Sequence, residues 1–182
     1  MTRTEIAQFR IKLNNDPENQ NLRREFHENY ELLEAYWKAK FQKGNGDEMF
    51  ANKFNQYYWS LIDVQNIAKE FSLLRPVGSS SFNFIPTPNL NKATFHLKYY
   101  ANYNDPLCIE TNEQEKEQGK DWKSGSFQAL LTIVTQVRNN LFHGGKIQLE
   151  DEQYNRNKTL VMLSRNLTDI LLLKLEEAED CG

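Results

Sequence analysis

Residues 126–146 read SFQALLTIVTQVRNNLFHGGK and form the clearest helical pattern in the chain. Apolar side chains recur there at a 3.6-residue spacing, which predicts an amphipathic helix. A serine hydroxyl in the stretch Ser124-Gly-Ser126 can accept from the free N–H groups of the first turn. Gly144 and Gly145 end the helix, because glycine takes the left-handed conformation without a Cβ clash. The apolar positions are Phe127, Leu130, Leu131, Val134, Val137 and Leu141.

Two residues of this helix do not suit a purely structural role. At about 100° per residue, Arg138 falls on the same side as Val134 and Leu141, in the middle of the apolar stripe. Because an unpaired buried charge is very costly, we expect Arg138 to be paired or to lie at an interface. In an unbroken helix His143 would lie about 140° around from Arg138. The two side chains meet if the helix ends or distorts near His143, or if a second copy of the chain brings its own helix alongside.

The sequence Arg138-Asn139-Asn140-Leu141-Phe142-His143 resembles the arginine–polar–three residues–histidine motif of the HEPN superfamily (higher eukaryotes and prokaryotes nucleotide-binding domain). Many HEPN proteins are metal-independent ribonucleases of toxin–antitoxin, phage-defence and CRISPR-associated systems. The resemblance implies that Arg138, Asn139 and His143 are catalytic. Arginine suits phosphate oxygens because its planar fork binds two at once and stays charged. Histidine suits proton transfer because it titrates near neutral pH.

The resemblance also implies partners. RNA is the expected substrate, and cleavage would leave a 2′,3′-cyclic phosphate. A homodimer would bring two motifs to a shared active-site cleft, and an antitoxin or defence-system protein is a possible further partner. Asn140 and Lys146 are candidate RNA contacts. One branch of toxins has a tyrosine two residues after the histidine, where this chain has Gly145, so inactivation by nucleotide transfer onto that tyrosine is not expected. The alternative is a non-catalytic helical dimer that binds RNA, nucleotide or a protein.

Composition sets limits on these interpretations. The net charge of −3 and the pI of about 5.7 are not typical of proteins that bind long nucleic acids electrostatically. Between Arg138 and Arg165, however, five basic residues stand against three acidic ones. Cys108 and Cys181 are far apart and form no metal-like spacing, so we expect free thiols, no metal and no cofactor. The chain has no hydrophobic signal core and no apolar run long enough for a membrane span, which predicts a cytoplasmic protein.

The rest of the chain is predicted to be mainly helical. Helical patterns cover residues 4–13, then 17 to about 43, then 47–74, and finally a helix of about 25 residues after Asp151. Prolines cluster between residues 76 and 123, where we expect an insertion with a small β-hairpin or irregular structure. The spacing of Leu90, Thr94, Leu97 and Ala101 would also fit a short helix. The aromatic residues of the third helix, Tyr58 among them, are predicted to be core rather than a base-stacking surface. The predicted fold is a single HEPN-like helical domain over 1–182, a bundle of four to five helices with this insertion.

Overall fold

The computed structural model of the chain describes residues 2–40, 58–74, 93, 126–142 and 149–180. Five helices lie in these ranges, and no strand does. The prediction of a mainly helical protein is therefore confirmed for the part that the structure describes. The predicted insertion at 76–123 lies outside the described residues except for Ala93, and so do Cys108 and Cys181. The helices are α1 (Arg3–Asn14), α2 (Pro17–Lys40), α3 (Ile62–Leu73), α4 (Ser126–Phe142) and α5 (Asp151–Asp180).

The chain divides into two compact units. The first unit consists of Met1–Ala35 and Val137–Gly182, and the second of Tyr36–Gln136. The first unit therefore joins two stretches that are far apart in the sequence. The prediction of one domain over the whole chain stays a prediction.

Helix α5 is the element on which the first unit is built. Phe9 of α1 packs edge-to-face on Tyr154 at 6.2 Å, and Lys12 binds Asp151, so α1 runs antiparallel to α5. Along α2, Asp16 pairs with Lys158 and Glu25 with Arg165, so α2 runs parallel to α5. An amphipathic helix with two neighbours needs a wide apolar surface, which matches the surplus of leucines in this segment.

The apolar face of α5 is buried along most of its length. The apolar spacing predicts seven inward residues in this helix. Five of them, Tyr154, Leu160, Leu163, Leu167 and Leu171, are buried, whereas Ile170 and Lys174 are half-buried. Ser164 and Thr168 are buried among them, but each hydroxyl donates to a carbonyl of its own helix. Hydrogen bonds of this kind remove most of the cost of burying a hydroxyl. The helix is also longer than predicted, 30 residues instead of about 25.

Asp16, in the turn between α1 and α2, links these two helices to α5. One carboxylate oxygen accepts from the backbone N–H of Asn19 and so caps the first turn of α2. Tyr154 and Lys158 of α5 donate to the same carboxylate. Burial by itself would raise the pKa of Asp16, but these hydrogen bonds and the charge of Lys158 outweigh it and lower the pKa. The turn therefore stabilises the charged form of Asp16.

The second unit has its own apolar core. Helix α3 buries Val64, Ile67, Ala68 and Phe71, as its spacing predicts. Tyr58 is buried and stacks on Phe127 of α4 with ring centroids 5.0 Å apart. The interpretation of Tyr58 as a core residue is therefore confirmed.

The predicted third helix is not continuous, and this part of the prediction was wrong. The helical turn at Tyr58 and Trp59 ends at Ser60, and α3 begins only after Leu61. The N–H of Leu61 donates to the carbonyl of Tyr58, and the side chain of Gln65 donates to the carbonyl of Trp59 at 2.7 Å. These hydrogen bonds satisfy backbone groups that the break would otherwise leave open.

No helix in the described ranges is both long enough and apolar enough to cross a membrane.

We expect Leu167→Ala to lower the free energy of unfolding by about 2–5 kcal/mol, because a fully buried leucine leaves a cavity when it is truncated. Leu173 of the same helix is 57% exposed, and Leu173→Ala should change the free energy by less than about 0.5 kcal/mol. Urea denaturation of both variants measures the difference. Equal losses would contradict the packing described for α5.

We expect Asp16→Ala to lower the free energy of unfolding at neutral pH by about 1–2 kcal/mol, through loss of the cap and its hydrogen bonds. Glu18→Ala removes a more exposed partner of Lys158 and should cost less than about 0.5 kcal/mol. Because the pKa of Asp16 is lowered in the folded protein, its contribution is complete above its ordinary value and disappears as the pH falls through the lowered one. The gap between the parent and Asp16→Ala should therefore narrow in acid, and a gap that widens would contradict this assignment.

Candidate active site around Arg138

Arg138 lies one turn before the C-terminal end of α4, in the part of that helix that belongs to the first unit. Its Nη2 is 3.6 Å from Oε2 of Glu34 on α2, and the two side chains are 29% and 37% exposed. The prediction that this arginine is paired is therefore confirmed. At this distance and exposure the ion pair is screened by solvent and contributes on the order of 0–1 kcal/mol.

Tyr30 supplies the second contact of Arg138 from α2. The guanidinium carbon lies 5.3 Å from the centre of the Tyr30 ring, within the range of a cation–π interaction. Tyr30 is buried and packs edge-to-face on Phe26. Because Tyr30 and Glu34 are four residues apart on one helix, they lie on the same face of α2 and hold the guanidinium from two directions.

Asn139 completes what we call the arginine site, which consists of Arg138, Asn139, Glu34 and Tyr30. Its Oδ1 accepts from Nη1 of Arg138 at 3.3 Å. Nε of Arg138 is buried, so the two terminal nitrogens form the more accessible edge of the guanidinium. Asn139 and Glu34 both lie at that edge, which is also the edge that binds phosphate oxygens two at a time.

The other predicted site residues divide into two groups. Asn140 is half-buried at the end of α4. His143 and Lys146 lie outside the described residues, so the predicted meeting of Arg138, Asn139 and His143 stays a prediction. His27 of α2 is partly exposed and pairs with Glu31 of its own helix at 3.3 Å.

Sequence reasoning did not identify Glu34 or name Tyr30 as a partner of Arg138. Tyr30 was assigned to the core from its place in the apolar stripe of α2, and Glu34 borders that stripe one turn later. A carboxylate at the margin of one apolar stripe and an arginine inside another are complementary, because each compensates the burial cost of the other. This complementarity was the signal in the sequence that could have identified Glu34 as the partner of Arg138. It does not distinguish Glu34 from other acidic residues of α2.

The described ranges hold no group of three or more histidine, cysteine, aspartate or glutamate side chains arranged to bind a metal ion. The arginine site itself offers an orientated cation with a carboxylate and an amide beside it.

No family model matches this chain, and neither a curated protein nor a solved structure matches it.

We expect Arg138→Ala to lower the free energy of unfolding by about 1 kcal/mol, the sum of a partly exposed ion pair and a cation–π contact. Arg138→Lys should recover part of this, since it keeps the charge but loses the planar group. The matched control is Arg24→Ala, which removes a more exposed pair with Glu28 at 4.0 Å and should change the free energy by less than about 0.5 kcal/mol. Thermal and urea denaturation measure all three, and a loss above about 3 kcal/mol for Arg138→Ala would show that Arg138 is mainly a packing residue.

Proposed function

We propose that the protein is a metal-independent endoribonuclease of the HEPN type, with a toxin or phage-defence role. The observation that carries this proposal is the arginine site, at the end of the helix that contains the HEPN-like motif. Arg138 is orientated there by contacts from α2 and Asn139 while part of its side chain stays exposed. An arginine that binds a transferring phosphoryl group needs this combination of fixed orientation and access.

Each motif residue has a role in this reaction. Arg138 binds the scissile phosphate and stabilises the charge of the phosphorane. His143 transfers a proton, and Asn139 orientates Arg138, the scissile group or the histidine. Asn140 and Lys146 contact the RNA backbone. The 2′-hydroxyl attacks phosphorus, the bond to the 5′-oxygen breaks, and the product is a 2′,3′-cyclic phosphate.

The weakness of the Glu34 pair supports a role in binding. A phosphate group can accept two short hydrogen bonds from the guanidinium of Arg138. That contact is stronger than the solvent-screened ion pair between Arg138 and Glu34 at 3.6 Å. An RNA phosphate can therefore take the terminal edge of Arg138 at small cost. In the proposed assembly two copies of the chain share one cleft, and an antitoxin or another defence-system protein restrains the activity.

A second function is favoured by the same ion pair. Glu34 compensates the charge of Arg138 without any substrate, as an arginine kept for structure requires. In that case the protein is a non-catalytic helical dimer that binds RNA, nucleotide or a protein partner. The two functions differ in what they require of His143, because proton transfer needs its imidazole and binding does not.

Purified protein should cleave end-labelled tRNA or messenger RNA in EDTA, because the proposed reaction needs no metal. The fragments should carry 2′,3′-cyclic phosphates, and His143→Ala should lower the rate by about 100-fold or more without changing the melting temperature. Gel electrophoresis with chemical analysis of the fragment ends measures both. His27→Ala is the matched control and should cleave at the parental rate.

RNA binding without cleavage, equal in the parent and in His143→Ala, would contradict the ribonuclease and favour the binding module. Sedimentation at micromolar concentration tests the shared cleft separately, and a monomer would count against it.

A further inference from the structure

The proposed reaction needs two proton transfers at one phosphate. A base takes the proton of the 2′-hydroxyl, and an acid protonates the 5′-oxygen as it leaves. The motif supplies one histidine per chain for these two steps. A second group is therefore required, either from another copy of the chain or from a residue that the motif does not include.

The arginine site contains a group that suits this requirement. Oε2 of Glu34 is 3.6 Å from Nη2 of Arg138, at the edge that is placed to receive phosphate. A phosphate oxygen bound to Nη2 lies about 2.8 Å from that nitrogen. The 2′-hydroxyl belongs to the ribose that carries this phosphate, so a phosphate bound at this edge brings the 2′-hydroxyl to the side of the arginine site where the Glu34 carboxylate lies.

We propose that Glu34 is the general base of the cleavage reaction, an assignment that rests on the proposed ribonuclease function. The carboxylate of Glu34 accepts the proton of the 2′-hydroxyl as the 2′-oxygen bonds to phosphorus. The bond between phosphorus and the 5′-oxygen breaks, and the leaving oxygen takes a proton from the acid of the motif, His143. The products are a 2′,3′-cyclic phosphate and a 5′-hydroxyl. Glu34 then gives its proton to water, and the histidine regains one.

Other carboxylates of α2 form ion pairs with residues outside the HEPN-like motif. Glu25 pairs with Arg165 at 3.0 Å. Glu28 pairs with Arg24, and Glu31 with His27, both within α2. Glu34 instead contacts the motif arginine itself, and 37% of its side chain is exposed. The geometry thus distinguishes Glu34 from its neighbours on the same helix.

Glu34 has a competing role that the experiment must separate from catalysis. A carboxylate beside Arg138 also repels an incoming phosphate, and removing its charge strengthens RNA binding. If Glu34 acts as an anionic competitor and nothing more, its neutral variant binds RNA more tightly and cleaves it as fast or faster. If Glu34 is the base, the neutral variant binds at least as tightly and cleaves slowly.

The decisive variant is Glu34→Gln, which keeps the size of the side chain and an oxygen that accepts from Arg138 but cannot take up the proton. Single-turnover cleavage of a short mixed-sequence RNA labelled with fluorescein gives the rate. Fluorescence anisotropy with the 2′-deoxy form of the same oligonucleotide, which cannot be cleaved, gives the affinity. Glu31→Gln, on the same helix and paired with His27, is the matched control.

We expect Glu34→Gln to lower the cleavage rate by about 100-fold or more, with affinity for the deoxy oligonucleotide unchanged or higher. Glu34→Asp should restore part of the rate, because it returns a carboxylate at a slightly different position. Glu31→Gln should match the parent in both measurements.

A parent that cleaves and a Glu34→Gln variant that cleaves at the same or a higher rate would overturn the assignment of Glu34 and leave the ribonuclease intact. A loss of rate matched by an equal loss of affinity would also overturn it, because Glu34 would then position Arg138 instead of accepting a proton. A folded parent that cleaves none of the RNAs would overturn the proposed function and the assignment of Glu34 together.

Discussion

The charge of Arg138 is the constraint around which this region of the protein is arranged. Its position on α4 places a guanidinium within an apolar stripe while 29% of the side chain stays exposed, so its charge still needs a compensating neighbour. Two residues of α2 compensate this charge. The carboxylate of Glu34 lies at the terminal nitrogens of Arg138, and the ring of Tyr30 lies beside the guanidinium. The contacts that make the arginine tolerable also fix its direction, so stability and site geometry have the same origin.

Charged side chains between α2 and α5 in the first unit are also compensated by neighbouring groups. Arg165 lies between Glu25 and Asp169, each at 3.0 Å, and Asn29 donates to Asp169. Asp16 is held in a similar way by Lys158 and Tyr154. Polar groups at the margins of packed helices are satisfied in pairs and small networks, which set the register in which two helices pack. Apolar contacts alone tolerate sliding more readily.

Much of the local structure followed from the sequence, because its signals are local. The position of α4 and the buried residues of α3 and α5 agree with the apolar spacing of the sequence. The pairing of Arg138 also followed, since it depends only on the cost of burial. The identity of its partner did not, because Glu34 is on another helix and the spacing within α4 carries no information about it. The sequence does not indicate the break at Ser60, because the apolar spacing continues in phase on both sides of it. One irregular turn hardly changes that spacing.

The parallel arrangement of α2 and α5 has a consequence for how the protein is made. Hydrogen bonds that join α5 to α1, α2 and the turn between them link residues 138 to 142 positions apart. Closing such loops costs chain entropy before any contact repays it, and contacts of long range slow folding. During synthesis, α1 and α2 leave the ribosome well before their partner exists, and every residue of the second unit must follow first. The arginine site joins Glu34 of α2 to Arg138 of α4, so a nascent chain acquires it only after the second unit, Tyr36–Gln136, has been synthesised, at about 5–20 residues per second. For the proposed ribonuclease, this order of events would leave the site unformed until Arg138 has been synthesised.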